Sequence, residues 1–345
     1  MEQVRLVYEQ IEEAKRYLLG GSLLQLRLAL ILLDNAAELM MYRELQHQFA
    51  WDDHRLPNWE PARAEWIRAG SGPRYTEEER QRSEREFEFQ IRILCLRLGR
   101  ISEADRKVLC VCHKLRREAF HRGDIRTQIL GQVCSLLYLT TAELTVKLPF
   151  KSYAIPGGDQ NGENTAFLAR FGIADAYTLG TDEGRARLRD KLIEGVVLES
   201  GPFAEALSDD LVERIDETLG GLNCVVETND SSEIDYKLQH TQFWRELGAS
   251  LMGAGVWEPQ LGEEFKAWRA AGRARFTLTK IRRWQRMATA IRCYANPASA
   301  LDHYWAIDKR FSPLERDVAE AVYQYDEDVN MEAHARRLRQ ALGRR

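Results

Sequence analysis

Apolar residues recur at helical spacing almost from end to end of this chain, and that periodicity restricts the fold more than any single motif does. Val4, Val7, Ile11, Ala14 and Leu18 mark one face of a first helix, which Gly20 and Gly21 terminate. Ser22 then caps a long second helix, "LLQLRLALILLDNAAELMMYRELQHQF", whose apolar stripe is wide enough for the centre of a bundle. A polar connection bearing Trp and Pro covers residues 50–75. Thr76 caps a third helix, with glutamates at 77, 78 and 79 in the first turn where the positive helix end favours them, and it runs to about Leu98. Ser102 and Asp105 form a capping arrangement for a fourth helix. Asp124, after Gly123, caps a fifth, "IRTQILGQVCSLLYLTTAELTVKL", which ends before Pro149. The predicted class is all-α: a five-helix up-and-down bundle followed by a second helical domain.

The segment "PFKSYAIPGGDQNGEN", Pro149 to Asn164, is rich in Gly, Asn and Pro and is the expected domain boundary. The organisation is thus a bundle over 1–148, a linker over 149–164 and a helical domain over 165–345. In that domain, helices are expected after Thr181, after Ser208 with Gly220 and Gly221 closing it, and after Ser232. Another opens at Ser312 and Pro313, with proline at the first helical position, and a last one is capped by Asn330. No strand and no internal repeat is legible.

With 345 residues, 44% apolar and 30% charged, the chain has room for two cores. A formal net charge of −4 excludes a general positive coat, so any nucleic-acid surface is a local patch. The six cysteines are scattered, all but Cys224 in helical stretches, and are expected to be buried free thiols. Cys110, Cys112 and His113 lie close in sequence, but residues two apart on a helix face different ways and no second cluster follows, so no metal is expected. The opening "MEQVRLVYEQIEEAKRYLL" is acidic and amphipathic, unlike a signal peptide, and no run of about 18 apolar residues suggests a membrane span. A cytoplasmic location is therefore expected. Neither a phosphate-cradling Gly-rich loop nor a Gly-x-Ser-x-Gly elbow occurs, and no cofactor is expected.

The densest polar motif is "HKLRREAFHRGD", His113 to Asp124. Arg-x(4–6)-His spacing alone carries little: with arginine at about 11% of the chain and seven histidines, roughly two matches arise by chance. Arg116 to His121 and Arg106 to His113 are those two. A histidine and an arginine in a last helical turn before a glycine are also what helix electrostatics alone would favour. Context distinguishes the first pair, because it closes the helix before the last long helix of the predicted bundle.

Those words in that place, behind "LRLALILLDNAAELMM", resemble the HEPN family, whose signature is Arg, usually a small polar residue, a short gap and His, often followed by glycine. The resemblance covers approximately residues 1 to 148. Position by position, Arg116 matches the arginine, His121 the histidine and Gly123 the glycine; Arg117 stands where the family more often has Asn, Asp or His. The resemblance implies metal-independent RNA cleavage, in which the 2′-hydroxyl attacks the adjacent phosphate. Histidine can accept or deliver a proton near neutral pH, and the arginine fork can hold two phosphate oxygens. It also implies a homodimer with a composite active site, and a toxin or anti-phage effector that could have an antitoxin or defence-system partner. The alternative is a non-catalytic HEPN-like module that binds nucleotides or RNA or dimerises; a helical scaffold with a chance motif is the third reading. His113, Lys114 and Arg122 are candidate RNA contacts, although His113 could equally solvate the surface.

Beyond the bundle, Glu263 to Cys293 carries nine basic and two acidic residues, with Phe265, Trp268, Phe276 and Trp284 interleaved. Aromatic faces and basic side chains suit single-stranded RNA. At this spacing, however, Trp268 and Trp284 are expected in the core, leaving Arg282, Arg283 and Arg286 as candidate phosphate contacts.

Overall fold

A computed structural model describes residues 2–56, 60–68, 73–121, 127–148, 163–173, 176–225, 234–248 and 258–342; the side chains of several residues within these helices, His121 and all of 325–342 among them, lie outside the described set. The protein is all-α, with no strand among the described residues. It divides into two compact units. One comprises residues 1–203 with 296–302, the other 204–295 with 303–345.

The first unit is organised around α2 (Leu23–His54), which packs against α1 (Glu2–Gly20), α6 (Glu103–His121) and α7 (Thr127–Lys147). Its buried positions, among them Leu26, Leu30, Leu33, Ala37, Met40, Met41 and Leu45, follow the wide stripe legible in the sequence. Ser22 caps it with a reciprocal capping box, its side chain accepting from Gln25 N–H while the Gln25 side chain accepts from Ser22 N–H at 3.2 Å. Ser102 and Asp105 do the same for α6: Asp105 N–H donates to Ser102 Oγ at 3.1 Å, and Ser102 N–H to Asp105 Oδ2 at 2.7 Å. The cap expected at Asp124 lies outside the described residues.

Two departures occur between α2 and α6. The expected connection contains a short helix, α3 (Glu60–Arg68), and α2 itself runs on to His54. The third predicted helix is broken into α4 (Glu77–Arg85) and α5 (Phe87–Arg92) by Glu86, whose φ of −116° and ψ of 105° are extended. Buried Gln90 donates from Nε2 to Ser83 O at 2.7 Å, which satisfies the carbonyl that the break strips of its helical donor. After α5 the chain widens into a π turn, Ile93–Arg97, with Leu98 N–H bonded to Ile93 O at 3.0 Å.

Most of the expected linker lies outside the described residues, yet the chain beyond it returns to the first unit. In α10 (Asp182–Ile193), Leu192 O accepts from Tyr138 Oη at 2.7 Å and Lys15 Nζ at 2.8 Å. Phe167, on α8 (Glu163–Ala169), stacks on Tyr8 at 6.3 Å. A short α9 (Ala176–Gly180) leads into α10, which Thr181 caps by accepting from Gly184 N–H. Helix α7 is long and apolar enough, by length and composition, to cross a membrane, although 67% of that stretch is buried inside the protein. Packing against α1, α2, α6 and α10 accounts for its apolar character.

The second unit is built from most of α11 (Ser200–Val225), α12 (Ile234–Phe243), α13 (Glu258–Ala270), α14 (Leu278–Ala290) and most of α15 (Pro297–Leu342). Ser208, Gly220, Gly221, Ser312 and Asn330, all expected at helix ends, are interior to α11 or α15; Ser232 lies outside the described residues. The glycine pair does not stop α11 because Gly221 serves packing. A Cβ there would sit 3.1 Å from Val318 Cγ1 and 3.4 Å from Val322 Cγ2, so its absence permits close approach of α15. Pro313 removes one backbone hydrogen bond from α15, but Ile307, Phe311, Leu314 and Val318 are buried on both sides of it and hold the helix together.

Aromatic residues fill this unit's core. Phe243, Phe265 and Trp268 form one cluster, and Trp284 meets Phe276 at 6.1 Å and Phe311 at 6.2 Å in edge contacts, so both expected core tryptophans are internal. His240 sits beside the cluster, accepting from Trp244 Nε1 at 2.8 Å, and burial holds its pKa below the ordinary value. The neutral ring therefore belongs to the folded state, and the unfolded chain takes up the proton first as pH falls through about 6.5. Thermal stability is expected to decline below that pH, and less so in His240→Gln, as melting curves between pH 8 and pH 5 would record.

Cys112 and Cys134 are buried; Cys95 and Cys110 are half-buried and Cys293 is exposed, all five as free thiols. Burial pushes Cys134 up to about 12 and raises Cys112 well above its ordinary range. Cys293 is expected to react with a disulfide reagent within minutes in the native protein, and Cys112 and Cys134 only after denaturation, as peptide mapping would show.

Candidate functional site

The sequence of α6 sorts its side chains by face. Val108, Leu109, Val111, Cys112 and Leu115 are buried, while Arg117 is exposed. His113 and Arg116, three apart and hence on one edge of the helix, lie at the margin between these faces. Both turn toward α2, where Asp34 waits in the apolar stripe with only 2% of its surface exposed.

The carboxylate of Asp34 is shared. His113 Nδ1 is 3.2 Å from Oδ1 and 3.0 Å from Oδ2. Arg116 Nε is 3.7 Å from Oδ2, an ion pair without a hydrogen bond, and that buried nitrogen has no hydrogen-bond partner. On its other side the His113 ring stacks on Phe87 of α5, with centroids 3.9 Å apart and planes 11° from parallel. The extended Glu86 that divides α4 from α5 immediately precedes this phenylalanine.

Arg116 is also one wall of a groove of about 280 Å³ lined by Leu24, Arg27, Leu28, Ile31 and Ala119. Arg27 donates from Nη2 to Ala119 O at 3.0 Å, so one guanidinium of the groove caps a late carbonyl of α6. The groove accordingly pairs an apolar floor from α2 with two guanidinium groups, a combination suited to an anionic ligand with an apolar part.

The other candidates distribute differently. Lys114 pairs with Glu88 of α5 at 2.7 Å. Arg117 is exposed. His121 ends α6 in the backbone, and its side chain, with Arg122 and Gly123, lies outside the described residues. In the second unit, Arg282, Arg283 and Arg286 are exposed on α14, on the side of the helix away from Ile281, Trp284 and Ala288. Arg286 Nε donates to Arg282 O at 3.4 Å. Among the described residues no group of three or more His, Cys, Asp or Glu side chains could hold a metal ion.

Sequence reasoning missed Asp34, Arg27 and Phe87. Asp34 left one trace, as a lone acid inside "ALILLDNAAELMM", because a carboxylate in a buried stripe requires a cation nearby. Which cation supplies it is settled only by the packing of α6 on α2. Compared with known proteins, the chain matches no family model, no curated protein and no solved structure.

Proposed function

We infer that the chain is a metal-independent endoribonuclease of the HEPN type, serving as a toxin or an anti-phage effector. The observation that carries this reading is Arg116, placed beside Arg27 on a groove at the end of the helix that His121 closes. In the reaction, the 2′-oxygen attacks the neighbouring phosphorus while the 5′-oxygen departs, leaving a cyclic phosphate. His121 moves the proton, either from the 2′-hydroxyl or to the leaving oxygen, and Arg116 offsets the charge of the pentacoordinate state. A second copy would supply the facing Arg116 and His121 of a composite site, and the exposed Arg282, Arg283 and Arg286 would contact RNA phosphates.

One observation favours the runner-up, a binding module without catalysis. The Arg116 Nε already faces a buried carboxylate, and Arg117 replaces the small polar residue that the HEPN signature usually carries. The two readings part in a single assay: incubation of the full chain with mixed-sequence RNA in EDTA. Cleavage products ending in cyclic phosphate support the enzyme, and retention of intact RNA by the protein supports the module.

A further inference from the structure

A carboxylate stripped of water needs compensating partners, and Asp34 has two, from successive turns of α6. His113 is the hydrogen-bonded one, and Phe87 holds its ring from behind. Arg116 is the other, kept at 3.7 Å, with its Nε buried and short of a hydrogen bond while its side chain, one third exposed, lines the groove. The imidazole thus makes the shorter contacts with the carboxylate, and Arg116 stays at ion-pair distance from it.

We propose that Asp34 is a positioning residue: pinned by His113 and Phe87, its carboxylate restrains Arg116 at the mouth of the α2–α6 groove. The catalytic consequence rests on the ribonuclease reading, and the restraint rests on geometry alone. Lys114 is engaged by Glu88, and Arg27 by the Ala119 carbonyl, so each has a partner other than Asp34.

The test follows Arg116 directly, by its rate of modification with phenylglyoxal in the full chain, read by peptide mass spectrometry. In Asp34→Asn, which keeps the shape and removes the charge, Arg116 is expected to react several-fold faster. In His113→Ala, which frees the carboxylate, Arg116 closes onto Asp34 and reacts more slowly than in the wild type. Opposite shifts are the signature of a restraint, since simple loosening of the fold would accelerate both. RNA cleavage by Asp34→Asn is expected to fall in kcat by about tenfold, because a displaced arginine no longer meets the transition state, with KM changed less than about twofold. Asp34→Glu should recover part of the loss.

Equal Arg116 reactivity in all three proteins overturns the restraint, and an unchanged kcat in Asp34→Asn overturns its role in positioning. Wild-type protein that leaves RNA intact, while the two reactivity shifts persist, removes the ribonuclease reading and keeps the restraint. Should Asp34→Asn fail to fold, His113→Ala still decides: reactivity equal to or above wild type overturns the proposal.

Discussion

If the chain is the ribonuclease proposed, His121→Ala is expected to lower RNA cleavage by roughly 10² to 10⁴-fold, and Arg116→Ala by roughly 10² to 10³-fold, in EDTA at neutral pH. The two losses have different origins. An imidazole can accept or deliver a proton near neutral pH, so removing His121 eliminates proton transfer to or from the reacting oxygens. Arginine stays protonated throughout and contributes charge and fixed geometry, which Arg116→Lys would keep in part and lose in part, since an ammonium cannot hold two phosphate oxygens in one plane. Single-turnover cleavage of a labelled RNA, with the variants' melting temperatures as the control for folding, measures both. Undiminished cleavage by His121→Ala would sink the mechanism. The combined variant should be little worse than the poorer single one, because groups that act on one transition state are not additive.

Arg214→Ala should strongly destabilise the second unit. Arg214, on α11, donates from Nη1 to Asp308 at 2.8 Å and to Asp210 at 3.3 Å, and from Nε and Nη2 to Glu315 at 2.7 and 2.6 Å. Asp210 and Asp308 are buried, and Tyr304 Oη adds a hydrogen bond of 2.7 Å to Asp210. One guanidinium therefore compensates two buried carboxylates and a half-buried third, and its own pKa is raised by these partners against the cost of burial. Deleting it leaves like charges facing one another away from water, at a cost of about 3–5 kcal/mol. Urea denaturation followed by tryptophan fluorescence would record the shift in midpoint. Adding Asp308→Asn to Arg214→Ala should recover part of the loss by removing one orphaned charge. A variant within about 0.5 kcal/mol of wild type would show that the network is solvated and not a staple between α11 and α15.

The contrast between α6 and α11 shows what could be read in advance. Ser22, Thr76, Ser102 and Thr181 were legible as caps, because a cap is a local hydrogen bond between a side chain and a backbone N–H three residues on. Ser208, Gly220, Gly221 and Pro313 carry the same local vocabulary, yet the helices continue through them. Ser208 is buried and accepts from Arg292 Nε at 3.2 Å, Gly221 admits Val318, and Pro313 is flanked by buried apolar residues. A glycine inside a helix costs about 1 kcal/mol and a proline about 3 kcal/mol, and a helix face buried on a neighbour outweighs either.

The same division holds at the site. Arg116 and His121 were candidates from chain order alone, since their spacing and their place at the end of the helix before α7 are properties of the sequence. Asp34 lies 82 positions before Arg116, and Phe87 belongs to a helix whose start depends on the extended conformation of Glu86. Helical class, the α2 stripe and most caps were determined by the sequence, through interactions that span three or four residues. Which side chains answer the buried charges of Asp34, Asp210 and Asp308 was decided by the tertiary structure, because a charge away from water takes its partner from whichever helix packs against it.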